Sequence, residues 1–304
     1  MPAINEERLL ADLRELRTFG GSTSHPLGVV RPSFSEPDME ARRWLRAKFE
    51  DAGLIATIDG VGNVVGRSPN PGPALLLGSH SDTQPRGGWL DGAMGVVYAL
   101  EAARALAEDP TTAHLAVDIA SWTDEEGTYL GMIGCKSFCG LLDEGAIAGA
   151  SSAGVTTEDG EPLVPVGHRL TDAIASAGLT DVPREHMDPD RYAGYFEAHI
   201  EQGPWLEHTG NRIGVVSGCV GISGVTIDFI GQQNHAGTTP MHLRADAGMV
   251  AIKLAAKIDD KFKEICSESS VWTFGKQIDS ALRDVQTKST CRSRAASARP
   301  CSCA

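Results

Sequence analysis

No run of apolar residues in this chain approaches the ~20 needed to cross a bilayer as a helix, and the opening residues are no apolar leader. Residues 5–17 instead read as a charged amphipathic helix, which leads us to expect a cytoplasmic protein without membrane attachment. Basic character is also scarce: 27 Lys and Arg stand against 40 Asp and Glu, a formal net charge of −13. A phosphate-backbone partner needs a basic face, so nucleic-acid binding is excluded, and the acidity mainly implies solubility. The 7 cysteines, at 135, 139, 219, 266, 291, 301 and 303, lack zinc-finger spacing and suit free thiols in a reducing compartment. Glycines 60, 62 and 66 do not form G-x-G-x-x-G, so no dinucleotide site is indicated.

What is present is enough chain for real cores: 304 residues, 41% hydrophobic. Residues 38–52 place Trp44, Leu45, Phe49 and Ala52 on one helical face and stop at Gly53. Short strands are expected at 54–58, 63–66 and 74–78, an apolar helix over 95–106, and a nearly continuous buried strand over 114–122. Strand, helix and strand thus alternate as in an α/β sheet. Residues 148–167, rich in Gly, Ser, Thr and Pro, read as a long surface excursion before a short helix over 171–177. Strands are expected again at 212–217 and 224–230, the latter alternating Val225, Ile227 and Phe229 with polar residues. An amphipathic helix through Ala251, Leu254, Ala255, Ile258 and Phe262 follows.

Chemistry-bearing residues cluster where expected strands end, the place where α/β sheets keep their sites. The first strand runs into His80-Ser-Asp82, with Asp91 placed to reach back, and Asp82 is expected to hold the second ring nitrogen of His80. A later strand ends in Asp124-Glu125-Glu126, and a third apolar run ends at His199-Ile-Glu201-Gln202. Adjacent acids commonly mark only a solvated turn, and a lone histidine is more often a core residue than a ligand. Three strand ends that together offer His80, Asp91, Glu126 and His199 favour a mixed nitrogen and oxygen set for zinc, or for manganese or cobalt.

The ordered motifs G-S-H-S-D-T, G-G-W-L-D-G, T-D-E-E-G, H-I-E-Q-G-P and N-H-A-G-T-T-P-M resemble those of the M20-type metal-dependent amidohydrolases. Within these the chain is most similar to the hydantoinase/carbamoylase branch, which includes N-carbamoyl-L-amino-acid hydrolases, β-ureidopropionases and allantoate amidohydrolases. The resemblance covers residues 5–275. It implies an α/β fold: a mixed-sheet catalytic domain over 1–210 and an inserted, smaller α/β lid and dimerisation domain over 211–275. It implies two divalent ions, with His80 and His199 on one, Glu126 on the other and Asp91 bridging. Glu125 is then the general base and Asp82 a catalytic-site residue. Gln202, Asn234 and His235 contact a small amide or ureido substrate, His235 from the partner subunit of a homodimer.

Past Gly275 the resemblance stops. The family's last histidine ligand and its carboxylate-gripping arginine are not found, and residues 285–304 carry four basic residues and no acid. The expectation for 276–304 is a disordered, non-family tail on a C-terminally truncated chain, with a frame change or aberrant splice as its origin. The second metal site is then expected to be impaired. Two classes stay open on sequence grounds: a hydrolase of linear amide C–N bonds, with an aminoacylase or dipeptidase as nearest relative in mechanism, and a non-catalytic homologue that binds metal or a partner.

Overall fold

The structure is a computed structural model that describes residues 2–268, 270–274, 278–279 and 290–300. The chain divides into two compact units, Met1–Trp205 and Leu206–Ala304. The first unit opens with α1 (Glu6–Thr18), whose first turn is capped by the Asn5 side chain, followed by β1 (Gly28–Val29). Helix α2 (Glu36–Asp51) starts at Ser35, whose hydroxyl accepts from Asp38 N, with Pro37 in the first turn where its missing N–H costs nothing. Then come β2 (Ile55–Ile58), β3 (Val64–Arg67), β4 (Ala74–His80), β5 (Gly87–Gly88), α3 (Ala93–Glu108) and β6 (Val117–Trp122). The unit continues through α4 (Ile133–Phe138), α5 (Glu144–Gly149), β7 (Val155–Thr156), β8 (Pro162–Val164), α6 (Leu170–Ser176), β9 (Tyr192–Phe196) and the start of α7 (Trp205–Thr209).

Five strands form one mixed sheet in the order β2-β3-β6-β4-β9. Strands β4 and β6 are parallel, with His80 opposite Trp122, so α3 must cross over between them. Helices α2 and α3 cover one face: Leu45, Phe49, Val96 and Leu100 pack on Val64, Val117 and Ile119. The other face carries Leu76, Ala120 and Trp122 against Phe138 of α4. With both faces covered, β6 is buried at all six positions, which is why its sequence reads as a nearly continuous apolar run, broken at Asp118 and Ser121. Each large side chain buried there contributes roughly 1.5–3 kcal/mol.

The 148–167 segment is not the open excursion expected. Strands β7 and β8 pair as a small hairpin, and Val155 and Val164 join Val61, Ile133, Ile147, Leu170 and Ala173 in one apolar cluster. Two valines among turn residues give a period too short to read, yet suffice once a neighbouring helix supplies the opposite wall.

In the second unit, β10 (Val220–Ile230) leads through a turn to α8 (Ala247–Ile265), capped by Asp246 accepting from Met249 N, and then to β11 (Trp272–Phe274). Two further strands, β12 (Ile278–Asp279) and β13 (Thr290–Pro300), complete an antiparallel sheet in which β13 lies between β10 and β11. Part of the segment expected to be a disordered tail is therefore strand, with Val220 opposite Pro300 and Ile230 opposite Thr290. The physical reason is that β10 presents an eleven-residue edge of N–H and C=O groups, which an extended segment can satisfy whatever its side chains. Other residues of that tail lie outside the described ones. The strand expected at 212–217 is absent: that stretch pairs with no strand among the described residues, and Ile213 and Val215 are 85% and 94% exposed. Among the described residues no helix is long and apolar enough to cross a membrane.

Candidate metal centre

At the end of β4, His80 is buried, and its Nδ1 lies 3.0 Å from the main-chain oxygen of Asp82. A carbonyl can only accept, so Nδ1 carries the proton and Nε2 presents a lone pair. The expectation that the Asp82 carboxylate orients His80 is corrected here. That carboxylate is farther off, at 3.8 Å, and instead accepts the main-chain N–H groups of Glu125 (3.4 Å) and Glu126 (3.2 Å). It ties the β4 loop to the β6 loop, and burial pushes its carboxyl above the ordinary range. Gly92, at φ +62°, closes over the ring: a Cβ there would sit 2.3 Å from His80 Nε2.

The acidic run after β6 is held from behind. Thr123 N donates to Asn63 Oδ1 at 3.1 Å, and the fully buried Arg42 donates to Thr123 Oγ1 at 2.9 Å while pairing with buried Asp38 at 2.8 Å. Asp124 then takes φ +53°, and its carboxylate accepts from Tyr129 N (3.1 Å) and Leu130 N (2.9 Å), closing the turn internally. That turn presents Glu125, whose Oε2 is 3.7 Å from His80 Nε2, and Glu126. Burial raises the Glu125 carboxyl, an effect His80 opposes and Glu126 adds to.

The third group follows β9. His199 Nδ1 lies 2.8 Å from the Ile200 main-chain oxygen, so its proton is likewise fixed on Nδ1. Its Nε2 is 3.3 Å from Asp91 Oδ1 and 3.4 Å from His80 Nε2, with the two rings stacked at 28°. Gln202, at φ +57°, donates its amide to Asp91 Oδ2 at 2.6 Å, so the residue expected on substrate is found on a carboxylate. His80 thus joins two groups, His80–Asp91–His199 and His80–Glu125–Glu126, in each of which candidate ligand atoms lie within 4.8 Å of one another. Two imidazole lone pairs face each other beside carboxylate oxygens, and Asp91 Oδ1 and Glu126 Oε1 are buried with no hydrogen-bond partner. Acceptors converging without donors are satisfied by a cation, and this donor set suits zinc or a similar divalent ion.

Asn234 and His235 lie in the second unit, in the turn between β10 and α8. His235 Nδ1 accepts from Gly237 N (3.1 Å) and Thr238 N (3.2 Å), which leaves the ring proton on Nε2, and Arg244 donates to the main-chain oxygens of Ala236 and Thr239. Sequence reasoning missed Arg42, Asn63, Gly92 and Gln84, the last donating to the Glu126 carboxylate. The stripe Asp38, Arg42, Leu45, Phe49 at helical spacing was the available signal for Arg42: an ion pair sharing the buried face of α2.

Among known proteins, a family model described as Peptidase family M28 matches residues 61–148. A solved structure, an amidase of the hydantoinase/carbamoylase family from Burkholderia phymatum, is similar at 46% identity with a TM-score of 0.78, covering 98% of this chain and 70% of that one. An N-carbamoyl-L-amino-acid amidohydrolase of Paenarthrobacter aurescens is 34% identical over 88% of this chain, and an allantoate deiminase of Glycine max 30% identical over 94%. The mixed α/β architecture and its strand-end cluster are those of a metallohydrolase fold. The chain belongs to the hydantoinase/carbamoylase family of amidases. It spans 63% and 60% of the lengths of those two curated relatives.

Proposed function

We propose that this protein hydrolyses the C–N bond of a linear amide, an N-carbamoyl amino acid or a ureido compound such as allantoate, with divalent metal at the His80 cluster. The observation that carries the reading is the pair of Nε2 lone pairs, 3.4 Å apart, beside the orphaned Asp91 Oδ1. His80, Asp91 and His199 would hold one ion; Glu126, with Asp91 shared, would hold a second. Bound there, the metal supplies Lewis acidity to water and to the substrate carbonyl. Glu125 takes the proton of the attacking water and returns it to the leaving nitrogen, a role suited to a carboxyl whose proton affinity is raised by partial burial. Asp82 acts at a distance by fixing the main chain of Glu125 and Glu126. His235, its Nε2 proton free to donate, stabilises the developing oxyanion from the partner subunit of a homodimer. The names of the carbamoylase and allantoate deiminase relatives support this substrate class.

The test is release of ammonia and amino acid from a panel of carbamoyl and ureido compounds with Zn²⁺, Mn²⁺ or Co²⁺ added. Turnover of a ureido or carbamoyl compound is expected; metal-loaded protein inert across the panel would overturn the reading. Mixing inactive His80→Ala and His235→Ala subunits should restore activity if the site is shared. No recovery in demonstrated hybrids removes the dimer from the proposal.

A further inference from the structure

Two free thiols, Cys135 and Cys139, stand one turn apart, the first on α4 and the second at its C-cap. The turn between them is closed, Cys139 N donating to Cys135 O at 2.9 Å. Residues four apart on such a turn share a face, with Cβ atoms about 5–6 Å from one another. A disulfide needs that separation to be about 3.5–4.5 Å, so the two sulfurs cannot be joined directly while the turn holds. An ion placed in line between them, roughly 2.3 Å from each sulfur, spans roughly 4.6 Å and matches the spacing. Cys139 is exposed, whereas Cys135 is half-buried against the cluster of Leu76, Ala120, Trp122 and Phe138. The Cys135 thiol donates only a weak hydrogen bond, to the main-chain oxygen of Met132 at 3.5 Å.

We propose that Cys135 and Cys139 form a binding site for a soft monovalent cation, Cu⁺, held in line between the two sulfurs and separate from the His80 centre. Among the described residues, the groups of three or more His, Cys, Asp and Glu close enough to share an ion both lie at His80. The cysteine pair therefore lacks the four ligands of a structural zinc site and offers the soft sulfur donors that select Cu⁺. Its apolar wall keeps water, and with it strongly hydrated hard ions, from one side of the pair. Burial pushes the Cys135 thiol up, and Cys139 pushes it the same way, so a thiolate at Cys135 is unfavourable until a cation shares it. Binding exchanges two S–H bonds for two S–Cu bonds and releases two protons to solvent, with no electron moved. The resulting S–Cu–S unit carries one negative charge. The Lys136 ammonium, which opposes the rise at Cys135, offsets it.

The experiment uses the full chain with Cys301→Ser and Cys303→Ser, which removes the other closely spaced thiols of the sequence. Cu⁺ is titrated without oxygen in competition with bicinchoninate. A tight Cu⁺ is expected at the pair, its affinity rising about a hundredfold per pH unit near neutrality because two protons leave with each ion bound. Cys139→Ser, at an exposed position where folding is not at stake, should weaken that binding about 10²–10⁴-fold by ending the chelation. Cys135→Ser should do the same, and Cys219→Ser should leave it unchanged. A Cys139→Ser chain that keeps the starting Cu⁺ affinity overturns the proposal. A Cys135–Cys139 disulfide formed in the folded chain by oxidised glutathione would make the pair a redox couple and overturns it too.

Discussion

The two units bury different things. In Met1–Trp205 the deepest side chains include Arg31, Arg42 and Glu101 among the leucines and phenylalanine, and the polar groups form a framework that ends at His80, Glu125 and Glu126. In the second unit Ala247 is the one buried residue among those described, while Val225, Met249, Val250 and Ile252 of β10 and α8 are about half exposed. A buried ion pair is costly to desolvate and weak evidence for stability, so its presence under the cluster speaks for position rather than strength. The difference teaches where substitution should matter: single polar contacts in the first unit, and individual side chains hardly at all on the exposed faces of the second.

The largest effect should come from Glu125→Gln, expected to lower turnover by about 10²–10⁴ while metal content, measured by elemental analysis, stays at the wild-type value. Loss of metal together with turnover would make Glu125 a ligand instead of a base. Next is the framework. Arg42→Met leaves Asp38 buried and unpaired, and chemical denaturation should show a loss of about 3–5 kcal/mol. Adding Asp38→Leu removes the orphaned charge and should restore most of that stability. Metal affinity should stay low in the double variant, because Thr123 has lost its clamp.

Gly92→Ala is smaller in energy. A side chain at this sparsely populated backbone conformation costs about 1–3 kcal/mol, and the new Cβ displaces the His80 ring, so a stability loss of that size should accompany weaker metal binding. A variant with wild-type metal affinity would show that the ring can move freely. Smaller still is an attachment by exposed groups. Glu158 is pulled down to about 2 by Ser22 Oγ and Ser24 Oγ, helped by Ser24 N and Thr23 Oγ1. A depressed carboxyl binds fewer protons folded than unfolded, so its contribution is complete above its ordinary value of 4.5 and fades as pH falls toward 2. The protection of Ser24 N against hydrogen exchange, taken relative to the intrinsic rate at each pH, should fall across that window, and in Glu158→Gln that fall should be absent. On α8, Val250→Thr should change stability by no more than about 0.5 kcal/mol; a larger loss would mean that this face is covered in solution.

Much of this was legible because strands and helices leave periods in the sequence. The apolar run before His80, the buried run before Asp124 and the stripe on α2 located the sheet and its ends to within a few residues, and the candidate ligands at those ends do converge. What could not be read is which atom faces which. Asp82 stands two residues from His80 in either arrangement, yet the main-chain oxygen faces the ring and the carboxylate faces the next loop. Likewise nothing in the sequence shows that the amide of Gln202, expected at the substrate, lies on Asp91. Arg42 was hidden for another reason: a charged residue on a helix is expected in water, and only a partner one turn earlier and an acceptor beyond 80 residues away make burial affordable in energy.

His80 and His199 stand 119 positions apart in sequence, and only the parallel pairing of β4 with its neighbours brings them within 3.4 Å. An unfolded chain cannot offer this constellation, so an ion that prefers it recognises the finished sheet and nothing before it. By mass action such an ion becomes a clasp on the fold: at about a hundredfold above its dissociation constant it adds about 2.7 kcal/mol to the free energy of unfolding. Metal supply would then set how long a newly made chain survives proteolysis, and not only how fast it works.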